Sequence, residues 1–282
     1  VVVVGDVNST VACSMVCAKL WIPCAHVEAG LRSFDRRMPE EINRIVTDSL
    51  CDFLFTPSAD ADQNLINEGV SENRIHRVGN IMIDSLFSNL EKAAENATAN
   101  RFGLQKDNYC VITIHRPSNV DGEAPFTGII EALEIIGARI PLIFPTHPRT
   151  SKRAEEFGLK KRIESINNMN LTGPLGYLDF VSLVSDSKLV LTDSGGLQEE
   201  TTALGIPCIT LRENTERPVT VTEGTNVVVG NDTDSIVSSV SEILDSGGKA
   251  GRIPELWDGR TASRIADVIE GITSRTIHQS EE

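Results

Sequence analysis

Residues 189–205 read LVLTDSGGLQEETTALG, and this stretch decides the fold. Leu189–Thr192 is an apolar run of strand length, Asp193 to Gly196 turn the chain, and Gly196–Leu204 has helical spacing. The segment is therefore one βα unit of a parallel sheet. Two glycines at the start of a helix let the backbone approach a phosphate closely, and the helix N-terminus offers free N–H groups with partial positive charge. Ser194 adds a hydroxyl donor, and Glu200, about one turn in, is placed to accept from ribose hydroxyls. The same residues also read as a plain Ser-capped helix start, where acids are favoured in the first turn.

Outward from this unit the alternation continues. In the first half, Val1–Val4, Ile22–Val27 and Asp52–Thr56 read as strands. Helices are expected over Ser9–Leu20, from Pro39 with an apolar face at Ile42, Ile45, Val46 and Leu50, and over Ala59–Glu68. After VGN a further helix, IMIDSLFSNLEKA, leads into a polar stretch, Glu91–Asp107, expected to separate two domains. The second half places strands at Tyr109–Ile114, Leu142–Phe144, Leu189–Thr192, Pro207–Leu211 and Asn226–Val229. Helices lie between them, and terminal helices at Asp234–Leu244 and Ala262–Glu270. Polar residues fall just after the strands: Asp6, Glu28, His115 and the Asp193-Ser194 pair. Ligands of open parallel sheets bind outside the carboxyl ends of the strands. Four such placements in two half-chains point to a cleft between two facing sheets.

Bulk properties narrow the function. A chain of 282 residues suggests two domains. Lys and Arg number 26 against 40 Asp and Glu, a formal charge of −14, which argues against a nucleic-acid partner. A small anionic ligand stays compatible, because a local cluster of Arg, His and backbone N–H groups can hold it. No run approaches the roughly 18 apolar residues that span a bilayer. The six cysteines form no Cys-x-x-Cys pair, so buried, reduced thiols, no metal centre and a cytoplasmic setting are expected. The chain opens directly in the buried-strand pattern VVVVGD, and the expectation is of a piece whose first sheet continues before residue 1.

Single residues are less decisive. His115-Arg116 ends an apolar strand, where a histidine can donate to a diphosphate or protonate a leaving group; a lone histidine there is also often structural. His147, in THPRT, has a similar place and reads more readily as structural. Arg212 and Arg217, in LRENTERP, suit a diphosphate or a uracil carbonyl, or equally a surface salt bridge within the Glu213/Glu216 cluster. Glu40 sits in a first helical turn, which favours a carboxylate for the helix's own sake. Taken with Asp6 and Glu28 it makes three carboxylates that suit proton transfer on two faces of one sugar.

HVEAGLRS, PEEINR, GNIMID, the His115-Arg116 turn, LTDSGGLQEE, NTERP and WDGRTASRI follow one another along the chain. In that order they resemble the non-hydrolysing UDP-N-acetylglucosamine 2-epimerases, over essentially the whole length. The resemblance implies an α/β fold of two Rossmann-like domains facing across a cleft, the glycosyltransferase-B architecture, with the first domain incomplete. On it the boundaries are 1–90 and 91–261, with a C-terminal helix, 262–275, packing back on the first domain. It implies Asp6, Glu28, Glu40 and His115 as catalytic residues, and Arg116, Ser194, Gly195, Gly196, Glu200 and Arg217 as UDP ligands. Phe180 falls where the family stacks an aromatic near uracil, and Leu175 where a backbone contact to the base is expected. It further implies C2 epimerisation of a UDP-sugar for cell-surface polysaccharide precursors, no cofactor, and a homodimer at full length.

Three rival readings stand beside it. A glycosyltransferase of the same architecture shares the diphosphate turn but does not need three acids around the sugar. A hydrolysing epimerase would release UDP. The residues 1–282 alone are expected to bind nucleotide with weak or no turnover. The sugar is left open between N-acetylglucosamine and a 2,3-diacetamido uronic acid, whose carboxylate the loop Arg32–Arg37 is placed to meet.

Overall fold

Short, mostly apolar runs bounded by turns become short parallel strands, and the stretches between them become the crossover helices. The computed structural model describes residues 1–279. It divides into two units, Val1–Phe87 with the chain from Pro254 onward, and Ser88–Ile253.

The first unit runs β1 (Val2–Val4), α1 (Asn8–Leu20), β2 (Ala25–Val27), α2 (Pro39–Leu50), β3 (Phe53–Thr56), α3 (Ala59–Asn67), β4 (Ile75–Arg77) and the start of α4 (Ile81–Glu95). Its four strands are parallel, in the order β1-β2-β3-β4. One face buries Val3 and Leu54 against Cys17, Cys24, Cys51 and Leu65. The other buries Ala25, Val27, Phe55 and Val78, and receives Ile265, Val268 and Ile269 from the last helix of the chain. Trp257, fully buried, anchors that return by donating from Nε1 to the Pro57 carbonyl at 2.9 Å.

The second unit continues with α5 (Thr98–Arg101), β5 (Cys110–Thr113), α6 (Pro117–Val120), α7 (Glu123–Gly137), β6 (Leu142–Pro145), α8 (Pro148–Glu156), α9 (Lys160–Glu164) and β7 (Met169–Thr172). Then come α10 (Tyr177–Ser185), β8 (Leu189–Thr192), α11 (Gly195–Leu204), β9 (Cys208–Thr210), α12 (Pro218–Thr222), β10 (Asn226–Val228) and α13 (Thr233–Ser246). The final helix, α14 (Thr261–Gln279), lies in the returning segment. All six strands are parallel, in the order β10-β9-β8-β5-β6-β7. The direction of winding reverses between β5 and β8. That reversal opens a crevice at the carboxyl ends of these two strands, the usual ligand position in such sheets.

The α/β class with parallel sheets is the one the sequence predicts, and the differences are local. β2 begins at Ala25 rather than Ile22, because Trp21 closes α1 in the left-handed region (φ 56) and Cys24 turns its N–H to the Asp52 carboxylate at 2.9 Å. β4 and β7 are strands that the apolar pattern does not announce; both are short and half-exposed along their length. The polar stretch from Glu91 is helical in part, over the end of α4 and over α5 (Thr98–Arg101), and irregular from Phe102 to Tyr109. α4 runs to Glu95, and Asn96 and Thr98 both donate to Asp179 of α10. Among the described residues no helix is long and apolar enough to cross a membrane.

Candidate functional site

In the second unit the site grows from the reversal point. β5 and β8 end side by side, with the hydroxyls of Thr113 and Thr192 hydrogen-bonded at 2.6 Å. Past them Asp193 is completely buried, and its carboxylate gathers donors from the neighbouring strand's loop. It accepts from the backbone N–H of His115 (2.9 Å) and Arg116 (2.8 Å) and from Asn119 Nδ2 (3.1 Å). Asn119 also donates to the Leu211 carbonyl at the end of β9, so one side chain ties three strand ends together. A buried carboxylate is tolerated here because its acceptor positions are filled.

His115 Nδ1 lies 3.1 Å from Asp193 Oδ1. Burial holds the pKa of His115 below the ordinary histidine value; the Asp193 charge opposes this, while Arg116, His147 and Arg149 add to it. The neutral ring is thus favoured by burial over the protonated one. Its Nδ1 hydrogen points at Asp193, and its Nε2 lone pair is left for whatever binds. His147 caps α8, accepting at Nδ1 from Arg149 N–H, with its ring 5.6 Å from that of His115.

Ser194 stands at the N-cap of α11 but makes no side-chain capping bond, and no acid occupies the first turn. The plain helix-start reading of this turn is thus not what the fold uses. The glycines differ in purpose. A Cβ on Gly195 would sit 2.6 Å from Glu216 Oε1 and 2.9 Å from Arg217 Nη1, whereas one on Gly196 would meet nothing within 4 Å. Gly195 lets the helix lie against an ion pair, and Gly196 leaves open space beside free helix N–H groups.

That ion pair is a buried cluster. Glu216 takes Arg217 Nη1 at 2.6 Å and Arg212 Nη2 at 2.8 Å, and Arg217 Nε lies 2.9 Å from Glu199. The Arg212–Glu216 alternative read from sequence is real, but buried rather than on the surface. Burial pushes the Glu216 carboxyl up, yet Arg217 and then Arg212 hold it down at about 2. Glu200, one turn into α11, is the opposite case. Burial raises its pKa, moderated by a hydrogen bond with Tyr177 Oη at 3.4 Å. Leu175 and Phe180 flank Tyr177 in sequence and pack half-buried on the cluster that includes Val190 and Leu197.

The first unit carries the acids. Asp6 follows β1, and its Oδ2 meets Arg44 Nη1 at 2.5 Å. Arg44 also grips Glu41 at 2.7 Å, and Glu41 accepts from the N–H groups of Ser33 and Phe34, fixing the start of the loop before α2. Glu28 follows β2 with φ 72, close enough to Gly5 that a Cβ there would lie 3.9 Å from its Oε2. Glu40, half-buried, lies one turn before Arg44 on α2. Arg32 is not free to meet a sugar carboxylate: it is buried, 2.8 Å from Asp48 and bidentate to Glu68. Arg37 is paired with Asp35. Sequence reading does not single out Asn119, Arg44, Glu41 or Tyr177. The only trace of Arg44 and Glu41 is their place in PEEINR. Among the described residues no cluster of His, Cys, Asp and Glu could hold a metal ion.

Comparison with known proteins gives the site its context. A family model described as UDP-N-acetylglucosamine 2-epimerase matches residues 1–270. The UDP-N-acetylglucosamine 2-epimerase of Methanocaldococcus jannaschii is 43% identical over 276 residues, covering 95% of this chain and 74% of that protein. The UDP-2,3-diacetamido-2,3-dideoxy-D-glucuronate 2-epimerase of Pseudomonas aeruginosa is 42% identical over 278 residues, covering 95% and 74%. The crystal structure of the M. jannaschii protein in complex with UDP-GlcNAc and UDP superposes with a TM-score of 0.86 at 42% identity, covering 95% of this chain and 75% of that one. The chain thus spans about three quarters of the length of these relatives.

Proposed function

This chain belongs to the UDP-N-acetylglucosamine 2-epimerase family, and we propose that it interconverts UDP-N-acetylglucosamine and UDP-N-acetylmannosamine by eliminating UDP and adding it back. The C2 hydrogen of an N-acetylhexosamine has no adjoining ring carbonyl, so direct deprotonation is unfavourable. Breaking the C1–O bond first sends its electron pair to the UDP oxygen and leaves positive charge at C1 and the ring oxygen. C2–H then becomes acidic, and its loss gives 2-acetamidoglucal. Return of UDP to C1, with a proton delivered to the other face of C2, inverts the centre without net oxidation.

The observation that carries the reading is the reversal point of the six-stranded sheet. There His115, in contact with buried Asp193, and a helix N-terminus without a side-chain cap stand at the same strand ends. In this reading the N–H groups at Ser194, Gly195 and Gly196 take the diphosphate, with Arg116 adding positive charge and Arg217, held by Glu216 and Glu199, bordering the turn at Gly195. Glu200 takes the ribose, and Leu175 and Phe180 take the base. The diphosphate's charge favours the protonated form of His115, which then donates to the leaving oxygen. Asp6, Glu28 and Glu40 supply the base and acid for C2, each such group contributing on the order of 100- to 10,000-fold. A cytoplasmic homodimer goes with this reading.

Incubation with UDP-N-acetylglucosamine in D2O tests it. Deuterium should appear at C2 of UDP-N-acetylmannosamine, and product without C2 deuterium refutes the mechanism. Parallel incubation with the 2,3-diacetamido glucuronate substrate separates the two sugar classes, because both relatives are about equally similar to this chain.

A further inference from the structure

Beneath the acids of the first unit lies a histidine that the proposed chemistry does not use. His26, the middle residue of β2, pairs in register with Val3 and Leu54 and is fully buried on their face. Its Nε2 is 2.9 Å from the Gly5 carbonyl oxygen, and its Nδ1 is 2.6 Å from Asp48 Oδ1. A carbonyl can only accept, so Nε2 carries a hydrogen. The ring's second hydrogen bond, at Nδ1, joins it to the Asp48 carboxylate. The other oxygen of Asp48 accepts from Gly30 N–H at 3.1 Å and faces Arg32 at 2.8 Å.

These contacts end on the two turns that carry acids. Gly5 directly precedes Asp6, and Gly30 lies two residues after Glu28. Gly5, Glu28 and Gly30 are all left-handed, with φ of 68, 72 and 80. For Glu28 that conformation is strained, and it persists only where the surroundings over-determine it. A Cβ at Gly30 would run into the Ala61 carbonyl, so that turn has no slack on its other side. A buried ion pair is seldom more stabilising than apolar residues of similar volume. Its placement at these two turns is better explained by what it holds in place.

We propose that His26 and Asp48 are positioning residues for the epimerisation: the shared imidazole–carboxylate couple fixes the backbone on which Asp6 and Glu28 stand. The inference rests on those two acids being the proton-transfer groups. The test is steady-state kinetics of the full-length protein carrying His26→Phe, His26→Gln or Asp48→Asn, with UDP affinity measured by calorimetry. Phe keeps the ring volume and deletes both hydrogen bonds, whereas Gln restores the donor to Gly5. Misplacing a reacting group by about 1 Å costs on the order of 100-fold. His26→Phe should therefore lose about that much in kcat with KM and UDP affinity nearly unchanged, and His26→Gln should recover part of it. A folded His26→Phe enzyme with near wild-type kcat overturns the proposal, as does a loss that only tracks the folded fraction. Should His26→Phe not fold, Asp48→Asn decides by the same criteria. If neither folds, the couple is structural and the proposal fails. No turnover by the unsubstituted enzyme refutes the epimerase reading itself, and the positioning role falls with it.

Discussion

Replacing Glu216 with Gln removes one negative charge from between two buried guanidiniums and leaves everything around it the same size. In the native protein burial pushes this carboxyl up, and Arg217 and Arg212 bring it down to about 2, against an ordinary 4.5. At about 1.4 kcal/mol for each tenfold change in proton affinity, that difference is worth about 3 kcal/mol of folding free energy. Because the folded value is depressed, the contribution is fully present above the unfolded value of 4.5 and is lost as pH falls towards about 2. Glu216→Gln should therefore destabilise the protein by about 3 kcal/mol at pH 7, in line with breaking one side of a buried pair. Denaturant titrations followed by circular dichroism at pH 7, 5 and 3 would measure it, and the gap between the two proteins should narrow at pH 3. A loss below about 1 kcal/mol at pH 7, or a gap as wide at pH 3, would show that the cluster is not the electrostatic clamp described here.

Gly195→Ala and Gly196→Ala should separate packing from ligand space. The first forces a methyl against Glu216 and Arg217 and should cost about 1–3 kcal/mol of stability. The second should leave stability within about 0.5 kcal/mol but weaken UDP binding measured by calorimetry; equal stability losses would refute the distinction. Glu28→Gln and Glu40→Gln should each lower kcat by about 100-fold or more while UDP affinity holds, since the proposed function gives both side chains to C2 and neither to the nucleotide. A loss confined to KM would count against their role in proton transfer.

The strand–turn–helix unit of the candidate site was legible because its parts are consecutive: strand, turn, glycines and helix start lie within 189–205, where spacing alone dictates geometry. The β4 and β7 strands were not. Ile-His-Arg and Met-Asn-Leu-Thr are edge-like, half-exposed segments whose composition carries no apolar run. The buried polar network was harder still. His26 and Asp48 are 22 residues apart, and Asp6 and Arg44 are 38 apart. No periodicity links such positions; only the stacking of α2 over the sheet brings them together. For the same reason Arg32 looked available to a substrate, when the fold spends it on Asp48 and Glu68.

The return of the chain into the first unit has a consequence for synthesis. The apolar face formed by Ala25, Val27, Phe55 and Val78 receives its cover from Ile265, Val268 and Ile269, which emerge only after residues 88–253 have been translated. At roughly 5–20 residues per second that interval is on the order of ten to thirty seconds. Throughout it the nascent first unit presents an uncovered sheet face to the cell. The second unit is one uninterrupted segment and can close its own core while still attached to the ribosome. Of the two units, the one begun earlier is therefore the one completed later.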